Sequence, residues 1–91
     1  VKIVWLTEAE DHRDAAIEYI ALDSLSAALN QLDEIAAQTS RLAEHPMLGR
    51  SGRVDGTREL VINRTPFLVI YRLHAENVQI LEFLHGSQKW P

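Results

Sequence analysis

The strongest constraint on this chain lies in its second half, where three strand-like runs carry apolar residues on both faces. In Thr57–Asn63, alternation sets Arg58, Leu60 and Ile62 against Glu59, Val61 and Asn63. In Phe67–Leu73, it sets Phe67, Val69, Tyr71 and Leu73 against Leu68, Ile70 and Arg72. In Asn77–Leu84, it sets Val78, Ile80, Glu82 and Leu84 against Gln79, Leu81 and Phe83. A sheet apolar on both faces has to be covered on both sides. The links Arg64-Thr65-Pro66 and His74-Ala75-Glu76 are short enough for hairpins, so the three runs predict an antiparallel meander.

The first half supplies one cover. Lys2-Ile3-Val4-Trp5-Leu6 reads as a short strand, and Thr7 three residues before Glu10 has the capping-box spacing of a helix start. Ala9, Ala16, Ile17 and Ile20 recur at helical steps and predict a helix over residues 8–21. Asp23-Ser24 then caps a second helix with an apolar stripe of Leu25, Ala28, Leu29, Leu32, Ile35, Ala36 and Leu42. Pro46 stops it near Glu44 or His45. The segment from His45 to Gly56, with Gly49 and Gly52 between, reads as a loop. The expected architecture is an α/β (α+β) fold of order β-α-α-β-β-β, a helical hairpin packed on a small, mainly antiparallel sheet. Residues 1–91 form one domain, because so short a chain does not divide into two cores. One hairpin covers one face, so the other face is expected to lie under a protein partner.

Several function classes are excluded at this level. No cysteine is present, so there is neither a disulfide framework nor a thiolate metal site. The longest apolar run, Phe67 to Tyr71, is far short of a membrane span, and no signal-peptide pattern opens the chain, so a cytoplasmic location is expected. His12, His45, His74 and His85 show no familiar metal-ligand spacing, and the glycines form no nucleotide-binding loop. No serine sits in a nucleophile elbow. Neither a metal nor a cofactor is expected.

Charge is unevenly divided. Residues 1–45 hold three Lys/Arg against nine Asp/Glu, whereas residues 46–91 hold six against four. The basic half contains Arg50, Arg53, Arg58, Arg64, Arg72 and Lys89, with Phe67, Tyr71, Phe83, His85 and Trp90 among them. Guanidinium groups neutralise phosphates and flat rings stack on unpaired bases. His85 is the neutral-pH acid/base of this group. Each of these residues also has a structural reading: the arginines as solvating charges, the aromatic rings as core, and His85 as a strand-end cap.

Four segments carry a resemblance. Pro46-Met47-Leu48-Gly49-Arg50, Gly56-Thr57-Arg58-Glu59-Leu60-Val61, Phe67-Leu68-Val69-Ile70-Tyr71-Arg72 and Leu84-His85-Gly86 through Trp90-Pro91, in this order and spacing, resemble the RelE/ParE toxin family over essentially the whole chain. The resemblance implies the toxin half of a bacterial toxin–antitoxin pair, with a cognate antitoxin covering the exposed sheet face. RelE-like members are ribosome-dependent endoribonucleases that cut mRNA in the A site, whereas ParE-like members poison DNA gyrase and lack the nuclease residues. In the first case the toxin is an mRNA interferase working without metal. His85, Arg58 and Arg72 would carry the cleavage, and Arg50, Arg53 and Trp90 would hold RNA. In the second, Arg50, Trp90 and the C-terminal tail would contact gyrase and His85 would be structural. The sequence reading favours the nuclease and keeps the gyrase poison as its alternative.

Overall fold

The computed structural model describes residues 1–91. Its elements are β1 (Ile3–Trp5), α1 (Thr7–Asp23), α2 (Leu25–Ser40), β2 (Arg50–Ser51), β3 (Thr57–Val61), β4 (Phe67–His74) and β5 (Asn77–His85), with a 3-10 turn at Arg41–Ala43 after α2. The five strands form one mixed sheet in the order β1-β5-β4-β3-β2. The last three form the expected meander. β1 joins it in parallel with β5, pairing Ile3 with Val78 and Trp5 with Ile80.

The helix starts differ in their chemistry. Ser24 caps α2 as expected, its Oγ accepting the Ala27 amide at 3.2 Å. Thr7 is instead the first residue of α1, and the N-cap Leu6 offers no side-chain cap. α2 ends at Ser40, short of Pro46, where Thr39 and Ser40 hydroxyls turn back onto carbonyls of the preceding turn. The expected loop contains β2, which pairs antiparallel with β3 through Arg50–Glu59 and Ser51–Arg58. Two-residue Ala75-Glu76 closes the β4–β5 hairpin with both residues at positive φ, the turn that matches strand twist.

A bulge in β5 changes which residues face the helices. Ile70 pairs with Glu82 but Tyr71 pairs with Ile80, leaving Leu81 without a partner on β4. Val78, Ile80 and Phe83 therefore join one core, where strict alternation would have put Phe83 on the opposite side. That core also takes Leu60, Ile62, Phe67, Val69 and Tyr71 from the sheet and Ala9, Ile35 and Leu42 from the helical layer. Trp5 packs at its margin beneath the Arg13 guanidinium, 4.6 Å from the ring centroid.

The second sheet face is not bare. Ile70 and Leu84 are buried, at the floor of a cleft walled by Arg50, Arg53 and the C-terminal segment around Trp90. This corrects the expectation of an uncovered apolar face: the chain's own tail and the β2 segment lie against its centre. Apolar exposure is concentrated on the helical hairpin instead. Tyr19, Leu22, Leu25 and Leu29 are all more than half exposed, so the front of the expected α2 stripe faces outward. No helix is long and apolar enough to cross a membrane.

Candidate functional site: a basic cleft behind the sheet

Two residues set the position of the basic loop. The Tyr71 hydroxyl, at the centre of β4, donates to the Pro46 carbonyl at 2.7 Å and accepts the Gly49 amide at 2.8 Å. Burial raises the phenol above its ordinary pKa, which keeps it protonated as a donor. Arg58 works on the same loop, its Nη1 donating to the Gly49 carbonyl at 2.6 Å. The segment leading into Arg50 is thus tied to the sheet by an aromatic hydroxyl and a guanidinium.

Arg50 emerges from this anchor beside Glu59, with Nε 3.0 Å and Nη2 2.9 Å from Glu59 Oε1. Arg53, Lys89 and Trp90 line the same cleft, of about 160 Å³, over Leu68, Ile70 and Leu84. Three cations against one carboxylate give the cleft a positive rim. Arg50, Arg53 and Lys89 are exposed, and Trp90 is half-buried. Such a site offers charge-assisted donors and a flat apolar surface to an acidic partner.

The structure therefore brings together Arg50, Arg53 and Trp90, the three residues read from the sequence as an RNA-holding group. It does not bring together His85, Arg58 and Arg72. Arg58 pairs across the sheet with Tyr71 and Arg72 with Thr57, so these two arginines lie on opposite faces. Arg72 donates from Nε to Gln79 Oε1 at 2.9 Å. His85 pairs with Phe67 at the far end of β4, five positions from Arg72, or about 17 Å along the strand. Its Nδ1 accepts the Ser87 amide at 3.2 Å, and its ring sits edge-on to Phe67 at 6.1 Å. Gln88 holds the same turn through Oε1, which accepts the His85 amide at 2.7 Å.

A second cleft, of about 590 Å³ and largely apolar, runs between α1 and the C-terminal end of β5. Ala16, Tyr19, Ile20, Phe67, Phe83 and Leu84 form most of its wall. Gln31 also lines it, and its Oε1 is buried without a hydrogen-bond partner. Neither this cleft nor the burial of Glu82 was visible in strand alternation. Glu82, which alternation sets beside Val78, Ile80 and Leu84, is buried against His12 of α1.

Comparison with known proteins agrees with this architecture along nearly its full length. The family model for the ParE toxin of type II toxin–antitoxin systems, parDE, matches residues 3–90. Protein Y4kP of Sinorhizobium fredii (strain NBRC 101917 / NGR234) is 37% identical over 90 residues, covering 99% of this chain and 93% of that protein. A chain of the chromosomal ParDE toxin–antitoxin system from P. aeruginosa superimposes with a TM-score of 0.82 at 27% identity, covering 93% of this chain and 95% of that one. With its β-α-α-β-β-β fold shared and residues 3–90 matched by the family model, this protein belongs to the ParE toxin family of type II toxin–antitoxin systems.

Proposed function

We propose that this toxin is a gyrase poison that acts by binding, and that the cleft of Arg50, Arg53, Lys89 and Trp90 is its contact surface. The observation that carries this reading is the separation of His85 from Arg58 and Arg72. An RNA-cleaving centre needs its proton-transfer group within hydrogen-bond reach of the groups that stabilise the phosphate. Here His85 lies at the far end of β4 from the strand positions of both arginines, Arg72 is on the opposite face from it, and Arg58 is spent on backbone carbonyls. Membership of the ParE branch supports the same reading.

A cognate antitoxin belongs to this proposal, seated in the apolar cleft along α1 and on the exposed hairpin residues beside it. A partner segment there would cover Tyr19 and bring a donor to Gln31 Oε1. α1 carries six carboxylates, Glu8, Glu10, Asp11, Asp14, Glu18 and Asp23, against Arg13 alone, so the segment should be apolar on one side and basic on the other. The test is expression without antitoxin. The gyrase reading expects a DNA damage response and filamentous cells with intact mRNA, whereas transcripts cut at ribosomal A-site positions would instead establish the nuclease.

A further inference from the structure

We infer that Glu8, His12 and Glu82 form a site for one divalent transition-metal ion of the zinc class, which fastens α1 to β5 at the edge of the apolar cleft. Glu8 and His12 stand four residues apart on α1, so one turn of helix sets them on the same face. Glu82 meets them from β5, its Oε1 2.5 Å from His12 Nδ1. One ligand atom from each of the three residues lies within 4.8 Å of the others.

The buried carboxylate is the second observation. The Glu82 side chain is 7% exposed, and His12 is its only ion-pair partner. Both hydrogen bonds to the carboxylate, from His12 and from the Phe83 amide at 2.9 Å, converge on Oε1. Oε2 accepts none. With neither a lysine nor an arginine beside it, this buried carboxylate depends on His12 alone for its counter-charge, and a divalent ion would take over that role with twice the charge. The donor set of one imidazole nitrogen and two carboxylate oxygens suits zinc, whose bonds to both are about 2.0–2.2 Å. Calcium and magnesium take oxygen ligands and would leave the imidazole unused.

Binding requires little rearrangement of the buried partner. Glu8 is exposed on a flexible side chain and swings inward, and the half-exposed His12 draws back from Oε1 to admit the ion, while Glu82 stays in place. The ion replaces the proton shared between Nδ1 and Oε1, so His12 binds as the neutral imidazole and one proton passes to solvent. Three protein ligands leave a fourth position for water.

The test is titration of the metal-stripped full chain with Zn²⁺ by calorimetry and with Co²⁺ by visible absorption, together with thermal unfolding. The expected result is one ion per chain, a raised unfolding midpoint, and affinity at least about tenfold weaker in Glu8→Gln. Glu8→Gln keeps the His12–Glu82 contact, so its loss of binding is separable from loss of the fold. His12→Ala should abolish binding, while alanine at the exposed His45 and His74 should leave it unchanged. Equal binding by the wild type, Glu8→Gln and His12→Ala would overturn the assignment, as would no binding by the wild type at millimolar ion.

Discussion

Gly49 lies so close to Tyr71 that a methyl group at its Cα would fall 2.7 Å from Tyr71 Cε1 and 2.8 Å from the hydroxyl. The same methyl would lie 2.7 Å from the Glu59 carbonyl. This contact fixes how the chain enters β2 and hence where Arg50 stands. Gly49→Ala is expected to lower stability by about 1–3 kcal/mol, because backbone on one side and a buried ring on the other leave the methyl no room. Denaturant unfolding of the variant checks this, and a change below a few tenths of a kcal/mol would show that the loop can simply shift.

Tyr71→Phe leaves the ring and removes the hydroxyl. The Gly49 amide and the Pro46 carbonyl then lose their partner together. The expected cost is about 1–3 kcal/mol, the penalty for leaving buried backbone polar groups unpaired. Amide exchange should accelerate at Gly49 itself, which distinguishes a local opening from a general loss of stability.

The β3–β4 turn depends on pH through Glu34. Arg64, at positive φ, donates to Glu34 from Nε and Nη2 at 2.7 and 2.8 Å, and Gln38 Nε2 adds a bond at 2.9 Å. Arg64 first, then Gln38, holds the Glu34 carboxyl at about 2, below its ordinary value of 4.5. Because the folded value is the lower one, this contribution is complete above about pH 4.5 and is lost as pH falls toward 2. Wild type should therefore melt above Glu34→Gln at neutral pH, with the gap closing over that acid range. A gap independent of pH would contradict the assignment.

The cleft makes a separate prediction about activity. Arg50→Ala and Trp90→Ala should each weaken inhibition of gyrase about tenfold, as expected when a charged or aromatic anchor is truncated at an interface. His85→Ala should retain inhibition, since its ring is held by Ser87 and Phe67 and does not line the Arg50 cleft. A His85→Ala protein that folds but loses all toxicity would point back to proton transfer.

Much of this architecture was legible in the chain because local signals agreed with one another. Ser24 announces α2, the links around Arg64 and Ala75 announce the hairpins, and segregated charge sets Arg50 and Arg53 in the basic half. The bulge at Leu81 left no trace, since Val78, Ile80, Phe83 and Leu84 are apolar whichever way the strand turns. β2 is two residues long, too short for a periodic pattern. Its position is set by Tyr71 and Arg58 from other strands, so the arginine read as phosphate-stabilising could not be seen as a loop anchor. The burial of Glu82 was hidden for a related reason: its partner His12 lies 70 residues away.

The most direct measurement is supercoiling by purified gyrase in the presence of the full chain, with Arg50→Ala alongside. The account predicts that wild type blocks supercoiling and traps cleaved DNA, and that Arg50→Ala does so about tenfold less effectively. Unaffected supercoiling by a folded wild-type chain, joined to A-site cuts in mRNA during reconstituted translation, would contradict it.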